Sequence, residues 1–308
     1  MSRKWIAFAL SLLLWTSACS PASIFSLTPT PTAYIYPTAV TPTVPALTVD
    51  QLKNMEYIIT GLGSGASLPF QFTDGKFQRG TDPAATDYAS LSLLDIFAFG
   101  DLNNDGVNDA AVLIAENYGG TGVFVSVAAV LNENGQPRHV ASYLIDDRPQ
   151  VNSMEIRDGE IFLDAVVHSP SDAACCPTQE VTRSFQLSSA SLTLVHATSR
   201  FSGGQERVVT IESPLDGAQT HDQLVISGSV TIAPFENTLT YHIYNEQGNE
   251  LLVGPIMVNA PDVGAPGTFT LTLDTIKIPV GRVRIVVADL SAADGSVLAL
   301  DSVEVVIQ

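Results

Sequence analysis

The chain has 308 residues, of which 14 are lysine or arginine and 32 are aspartate or glutamate, giving a formal net charge of −18. An acidic chain without clustered basic residues repels phosphate backbones, so neither DNA nor RNA is an expected partner. Its 45% hydrophobic content with 22 Gly and 18 Pro predicts β-rich globular domains, and its length suffices for about two of them.

The N-terminus predicts export. Arg3 and Lys4 precede an apolar run from Trp5 to Trp15, which is shorter than the roughly 20 residues that a membrane-spanning helix needs. The run ends in Thr16-Ser17-Ala18-Cys19, which resembles the lipobox of bacterial lipoproteins, although Thr16 stands where that family usually has Leu. The resemblance implies a signal peptide at 1–18 and a lipidated Cys19 as the first mature residue. Ordinary cleavage with a free Cys19 thiol is the alternative.

A Thr/Pro-rich segment follows the anchor. Residues 20–47 contain six prolines and neither glycine nor charge. Proline fixes φ and removes N–H donors, so we expect residues 19–47 to be a lipid anchor and an extended tether on the extracytoplasmic face of the cell membrane.

The first domain is expected at 48–202 and should be mostly antiparallel β with little helix. Thr48 and Gln51 have capping-box spacing and predict a short helix. Thr73-Asp74-Gly75 predicts a hairpin between its flanking residues, and Asn134-Gly135 and Asp158-Gly159 predict further turns. Strands are predicted at 110–115, 123–131, 141–145, 160–167 and 182–187.

The most specific motif is Asp101–Asp109, which has side-chain oxygens at positions 1, 3, 5 and 9 and glycine at position 6. Ca²⁺ needs six or more oxygens, and such a loop could supply side chains and a backbone carbonyl. The expected ligands are the side chains of Asp101, Asn103, Asp105 and Asp109 and the carbonyl of Val107. The loop resembles the calcium loops of FG-GAP repeats, since strands are predicted on both sides of it. A metal-free turn is the alternative.

Cys175-Cys176-Pro177 contains the only cysteines besides Cys19. A disulfide between Cys175 and Cys176 is favoured because an exported protein meets an oxidising compartment. Free thiols and a redox function remain open alternatives.

Several segments of the first domain, among them 100–112, 117–131, 158–160, 168–170 and 175–178, resemble a domain found in many uncharacterised bacterial exported proteins. The resemblance spans about residues 52–195 and implies a shared fold without an assigned activity.

Candidate catalytic groups are scattered along the first domain. They are His139 and His168 as bases, Asp146, Asp147 and Asp164 as orienting groups, and Ser126 and Ser169 as nucleophiles. Because no nucleophile elbow or zinc-protease motif connects them, a catalytic role is not expected.

The second domain is expected at 206–308. Seven strands at 208–212, 224–230, 239–245, 250–258, 269–274, 282–289 and 297–307 fit an immunoglobulin-like β-sandwich. Ser213-Pro214, Ser227-Gly228, Phe235-Glu236, Gly267-Thr268-Phe269 and Asp294-Gly295-Ser296 resemble the immunoglobulin-like domain of bacterial spore-germination and surface lipoproteins. That resemblance implies a binding or spacer module. Phe235 is expected in its core, and a ligand contact at Phe235-Glu236 is the alternative.

The sequence thus predicts a non-enzymatic lipoprotein that binds an unidentified envelope protein or polysaccharide. An extracytoplasmic hydrolase and a redox-sensitive module using Cys175 and Cys176 are the alternatives.

Overall fold

The computed structural model describes residues 44–60, 67–188, 191–201, 203–262 and 264–308. The predicted signal peptide, Cys19 and the tether up to residue 43 lie outside the described residues. No described helix is long and apolar enough to cross a membrane.

The described chain is almost entirely antiparallel β structure, as predicted. The elements up to residue 201, here called the first region, are α1 Val49–Lys53, β1 Glu56–Thr60, β2 Ser67–Gln71, β3 Lys76–Arg79, β4 Ala89–Gly100, β5 Asp109–Asn117, β6 Phe124–Glu133, β7 Gln136–Asp147, β8 Gln150–Arg157, β9 Glu160–Val167, β10 Gln179–Ser188 and β11 Ser191–Arg200.

The remaining elements form the second region, residues 203–308. They are β12 Glu206–Arg207, β13 Val209–Ser213, β14 Ala218–Thr220, β15 Gln223–Val230, β16 Thr238–Asn245, β17 Glu250–Asn259, β18 Gly267–Asp274, β19 Gly281–Leu290, β20 Val297–Ile307 and two 3₁₀ turns at Phe235–Asn237 and Thr275–Lys277.

Local sequence signals account for several boundaries. Thr48 Oγ1 accepts the backbone N–H of Gln51 and the Gln51 side chain accepts the N–H of Thr48, which completes the predicted capping box. Asn134-Gly135 joins β6 to β7 and Asp158-Gly159 joins β8 to β9, with positive φ at all four residues. Two successive positive φ values suit the right-handed twist of a two-residue hairpin.

The sequence predicts that the strands on either side of Asp74-Gly75 pair with each other, and this prediction is wrong. The turn forms, with φ of 50° and 75°, but only Thr73 and Lys76 pair across it. Beyond the turn β2 pairs with β1, whereas β3 pairs with β4. The two strands therefore lie in different sheets, although Phe70 of β2 and Phe77 of β3 still pack edge to face with ring centroids 5.0 Å apart.

β5 is the centre of a layered first region. It lies in the sheet β3-β4-β5-β6-β7, and its residues from Asp109 to Glu116 are all buried. Leu113 faces a core shared with β8–β11, whereas Val112 and Ile114 face a core shared with α1, β1 and β2. This alternation follows from the two-residue period of a strand.

The second region has an immunoglobulin-like arrangement. β13, β15 and β18 pair on one side, and β17, β16, β19 and β20 pair on the other. Residues such as Ile226, Leu239 and Ile285 fill the core between the two sides. Phe235 is 67% exposed, so its predicted place in the core is wrong.

A continuous sheet connects the two regions. β11 pairs with β20 at His196–Asp301 and Ala197–Leu300. The core of the first region also takes in Val286, Ala288 and Leu300. The two regions consequently share both backbone hydrogen bonding and buried apolar surface.

Candidate functional site

The loop Asp101–Asp109 connects β4 to β5 at one end of the five-stranded sheet, between strands as expected. Asp101 accepts the backbone N–H of Asp105 at 3.2 Å and that of Gly106 at 2.7 Å. Asp105 accepts the N–H of Val107 at 2.8 Å. Gly106 has φ +84°, a conformation that strains other residues. The carboxylates of Asp101 and Asp105 thus stabilise the turn by accepting hydrogen bonds from backbone N–H groups of the same loop.

Asp109 differs from the other loop carboxylates because it is completely buried. Its Oδ2 accepts the N–H of Leu102 at 2.9 Å and its Oδ1 accepts the N–H of Asn132 at 2.8 Å. Burial raises the pKa of Asp109; the two backbone hydrogen bonds oppose the shift, and the charges of Asp105 and Asp101 add to it. Among the described residues no basic side chain forms an ion pair with Asp109.

A carboxylate in this position would be stabilised by a cation, and the donor set of the loop consists of the hard oxygen ligands that Ca²⁺ prefers. In the part of the chain that the structure describes, however, no three side chains of His, Cys, Asp or Glu are grouped as a metal site. The residues fit calcium by their chemistry, and their hydrogen bonds also close the loop without it.

The Cys175–Cys176 pair lies in the connection between β9 and β10, and a disulfide joins the two sulfurs. Both cysteines are exposed. Asp172 ties the loop together, since it accepts the N–H of Ser169 at 2.9 Å and that of Thr178 at 2.7 Å. These hydrogen bonds lower the pKa of Asp172 to about 2, and the hydrogen bond from the backbone N–H of Ser169 contributes most.

The structure brings His168 and Asp146 together. Asp146 Oδ2 lies 3.0 Å from Nδ1 of His168, and it also accepts the backbone N–H of that residue. Burial disfavours the charged imidazole, but the hydrogen bond and charge of Asp146 outweigh burial and raise the pKa of His168. Its Nε2 is buried and has no hydrogen-bond partner among the described atoms. Neither predicted serine hydroxyl bonds to this ring, because Ser169 Oγ contacts Ser171 and Ser126 Oγ donates to Glu116.

His139 lies near a hydroxyl that sequence reasoning missed. Its Nε2 is 2.9 Å from Ser142 Oγ, and its Nδ1 accepts the backbone N–H of Ile58 at 3.2 Å. A neutral ring that accepts at Nδ1 carries its proton on Nε2 and therefore donates to Ser142. Burial lowers the pKa of His139 to about 4. A general base for Ser142 needs a free lone pair on Nε2, so this arrangement does not activate the hydroxyl.

Glu116 was not singled out from the sequence, although it is 3% exposed. It accepts hydrogen bonds from Ser126 Oγ at 2.9 Å and Tyr118 Oη at 2.8 Å. Burial raises its pKa, and the two hydrogen bonds oppose the shift. The continuous apolar run of residues 110–115 was the signal that could have placed it, because such a run is typical of a strand buried on both faces and Glu116 directly follows it.

Three kinds of comparison relate this chain to known proteins. No curated protein matches the chain. The extracellular domain of a protein described as a one-component system, BT4673 of B. thetaiotaomicron, has 8% sequence identity and a TM-score of 0.21. The alignment covers 77% of this chain and 43% of that one, and so spans less than half of the relative. That TM-score is too low to indicate a shared fold. Residues 208–296 match the family model of the immunoglobulin-like domain of bacterial spore germination, in agreement with the sandwich that they form.

Proposed function

We propose that this chain is a non-enzymatic binding or scaffolding protein of the cell envelope, held at the membrane by a lipid on Cys19. The immunoglobulin-like domain at 208–296 fits a binding or scaffolding module. The Cys19 anchor rests on the lipobox resemblance, and a stable anchor needs about two acyl chains.

The pairing of β11 with β20 is the observation that carries the scaffolding role. It joins the immunoglobulin-like sandwich to the first region through the sheet itself, whereas flexibly linked domains move independently. Arg207 and Asp289 add a buried ion pair near this connection, and the ring of Phe201 lies 5.0 Å from the Arg207 guanidinium. A joint of this kind presents the surfaces of both regions in one fixed arrangement.

We include a calcium ion in the proposal, held by Asp101, Asn103, Asp105, Asp109 and the carbonyl of Val107. When bound, it would supply positive charge beside the buried carboxylate of Asp109. Its role would be structural, since the loop ends directly in the central strand β5.

A redox-sensitive module is the second candidate. The exposure of Cys175 and Cys176 favours it, because exposed disulfides are more accessible to thiolates in solution. A hydrolase finds less support, because His139 donates to Ser142 and the described serine hydroxyls do not reach Nε2 of His168.

Sedimentation with isolated bacterial envelopes tests the proposal. The mature chain with Cys19→Ser is mixed with envelopes, and the bound fraction is measured against concentration, with heat-unfolded protein as control. Saturable binding without release of soluble sugars or peptides is expected. Absence of saturable binding would overturn the proposal, and release of fragments above the control would favour the hydrolase.

A further inference from the structure

A polar groove of about 730 Å³ lies where the first and second regions meet. Its walls come from β10 and β11, from the turn between β16 and β17, and from β19 and β20. We call it the junction groove and define it by Gln186, Thr193, Gln247, Arg282, Arg284 and Glu304. Its volume falls within the roughly 300–1,000 Å³ of small-ligand pockets.

Arg284 is the least satisfied charged group of the junction groove. One of its N–H groups donates to the carbonyl of Leu194 at 3.3 Å, and its guanidinium lies 4.9 Å from the centre of the Tyr244 ring. Within the described chain no carboxylate lies at ion-pair distance from it. A guanidinium has five N–H donors in a fixed plane, so most donors of this half-buried group are open to a ligand.

The other charged groups in the groove are one arginine and two glutamates. Arg282 Nη1 lies 2.9 Å from Glu304 Oε2, and its Nε lies 4.0 Å from Glu246 Oε1. With Arg284, these four groups sum to zero formal charge in a chain of net charge −18. The field of the whole protein repels an anionic ligand, whereas a cationic one would meet the open guanidinium of Arg284. The charges thus favour a neutral ligand.

Neutral side chains in the groove have open hydrogen-bonding capacity. Gln186, Thr193 and Gln247 make no side-chain hydrogen bond to any other described residue. A glutamine amide both donates and accepts, as does a threonine hydroxyl. Ligand hydroxyls, which also donate and accept, match this combination.

Apolar contacts for a peptide are scarce in the groove. β10 lies between β9 and β11, and β19 lies between β16 and β20, so these two strands offer no open edge, whereas residues 191–195 of β11 have no partner among the described strands on the side away from β10. Val283 is the only apolar side chain in the described lining, which leaves little to hold apolar peptide side chains.

We propose that the junction groove binds a neutral, hydroxyl-rich oligosaccharide. This inference rests on the proposed binding function and names the partner class. Arg284 would donate to adjacent ligand hydroxyls, while Gln186, Thr193 and Gln247 would complete the hydrogen bonding. The first and second regions both contribute walls to the groove. The pairing of β11 with β20 would therefore keep these walls in a fixed position relative to one another.

The test is a glycan microarray carrying neutral and acidic oligosaccharides, probed with the mature chain bearing Cys19→Ser. The strongest neutral glycan is then titrated calorimetrically. Arg284→Lys should weaken its binding about tenfold, because lysine keeps the charge but loses the planar donor fork. The double variant Gln186→Ala/Thr193→Ala should weaken it comparably while leaving the fold intact. Arg157→Lys on β8 is the matched control, since Arg157 is exposed and pairs with Glu155, and it should bind as the wild type.

Three results would overturn the inference: no neutral glycan above background, binding of acidic glycans alone, or equal affinity in the wild type and all groove variants. Envelope sedimentation separates this failure from that of the proposed function. If the wild type sediments saturably with envelopes but binds no neutral glycan, the groove assignment fails and the binding function stands.

Discussion

The carboxylate of Asp109 accepts the backbone N–H of Asn132 at 2.8 Å, which links the end of the acidic loop to the C-terminal end of strand β6. This carboxylate is buried, whereas Asp101 and Asp105 stand in the more open part of the loop. Any ion that changes the electrostatics of the loop therefore acts on the interior of the five-stranded sheet.

Calcium should consequently stabilise the chain. A ligand that binds only the native state adds about 2.7 kcal/mol to the free energy of unfolding at a hundredfold excess over its dissociation constant. Asp105→Ala should remove most of this gain, and Mg²⁺ should substitute poorly because it demands a tighter octahedral shell. The measurement is thermal unfolding of the intact chain with calcium and with chelator.

The matched control is Asp82→Ala, which removes a turn carboxylate that accepts the N–H of Ala84 outside the loop. It should retain the full calcium response. An unchanged unfolding midpoint in the wild type, with no calorimetric binding at millimolar calcium, would leave the loop an ordinary hydrogen-bonded turn. The intact chain is required because the two regions share a core.

Replacing Cys19 with serine should release the protein from the membrane. The physical reason is the loss of acyl chains, since we expect no other membrane attachment. The measurement is the distribution between membrane and soluble fractions after a high-salt wash. A Cys19→Ser protein that stays in the membrane fraction would show that the anchor lies elsewhere.

Cys175 and Cys176 should be bonded to each other in the exported protein. In the Cys19→Ser chain they are the only cysteines, so thiol counting is unambiguous. Intact mass after alkylation should show no modified thiol before reduction and two after it. Two alkylated thiols without prior reduction, in protein from an oxidising compartment, would contradict the prediction.

Because of His139, the free energy of unfolding should decrease as the pH falls. The folded-state pKa of His139, about 4, lies below the ordinary value of 6.5. Between these values the unfolded chain takes up a proton that the folded chain does not, so this contribution is fully present above pH 6.5 and is lost as the pH falls towards 4. The loss should reach about 3 kcal/mol at about pH 4, at about 1.4 kcal/mol per pKa unit.

His139→Gln is the variant that isolates this effect. Glutamine can accept from Ile58 and donate to Ser142 but does not titrate. Chemical denaturation from pH 7 to pH 4 gives the free energy of unfolding of each protein. The contribution of the carboxylates is common to both proteins and cancels in the difference between the two free energies. Parallel stability curves for the wild type and the variant would show that His139 titrates normally.

Local signals in the sequence determined the short-range structure. The capping box at Thr48 and the positive-φ turns at Asn134-Gly135 and Asp158-Gly159 involve neighbouring residues, so their physics is contained in a few positions. The two-residue alternation likewise predicted most strands, and the spacing of Asp101–Asp109 indicated the loop between β4 and β5. These features need no knowledge of distant partners.

Only the tertiary structure decided which strands pair and which side chains are exposed. β2 and β3 flank a good turn yet join different sheets, and Phe235 projects into solvent although its type favours burial. The junction groove brings Gln186 near Arg284, almost a hundred positions away, through the pairing of β11 with β20. Such pairings depend on the total apolar surface that the whole chain can bury, which is a property of the assembled sheets and not of any local segment.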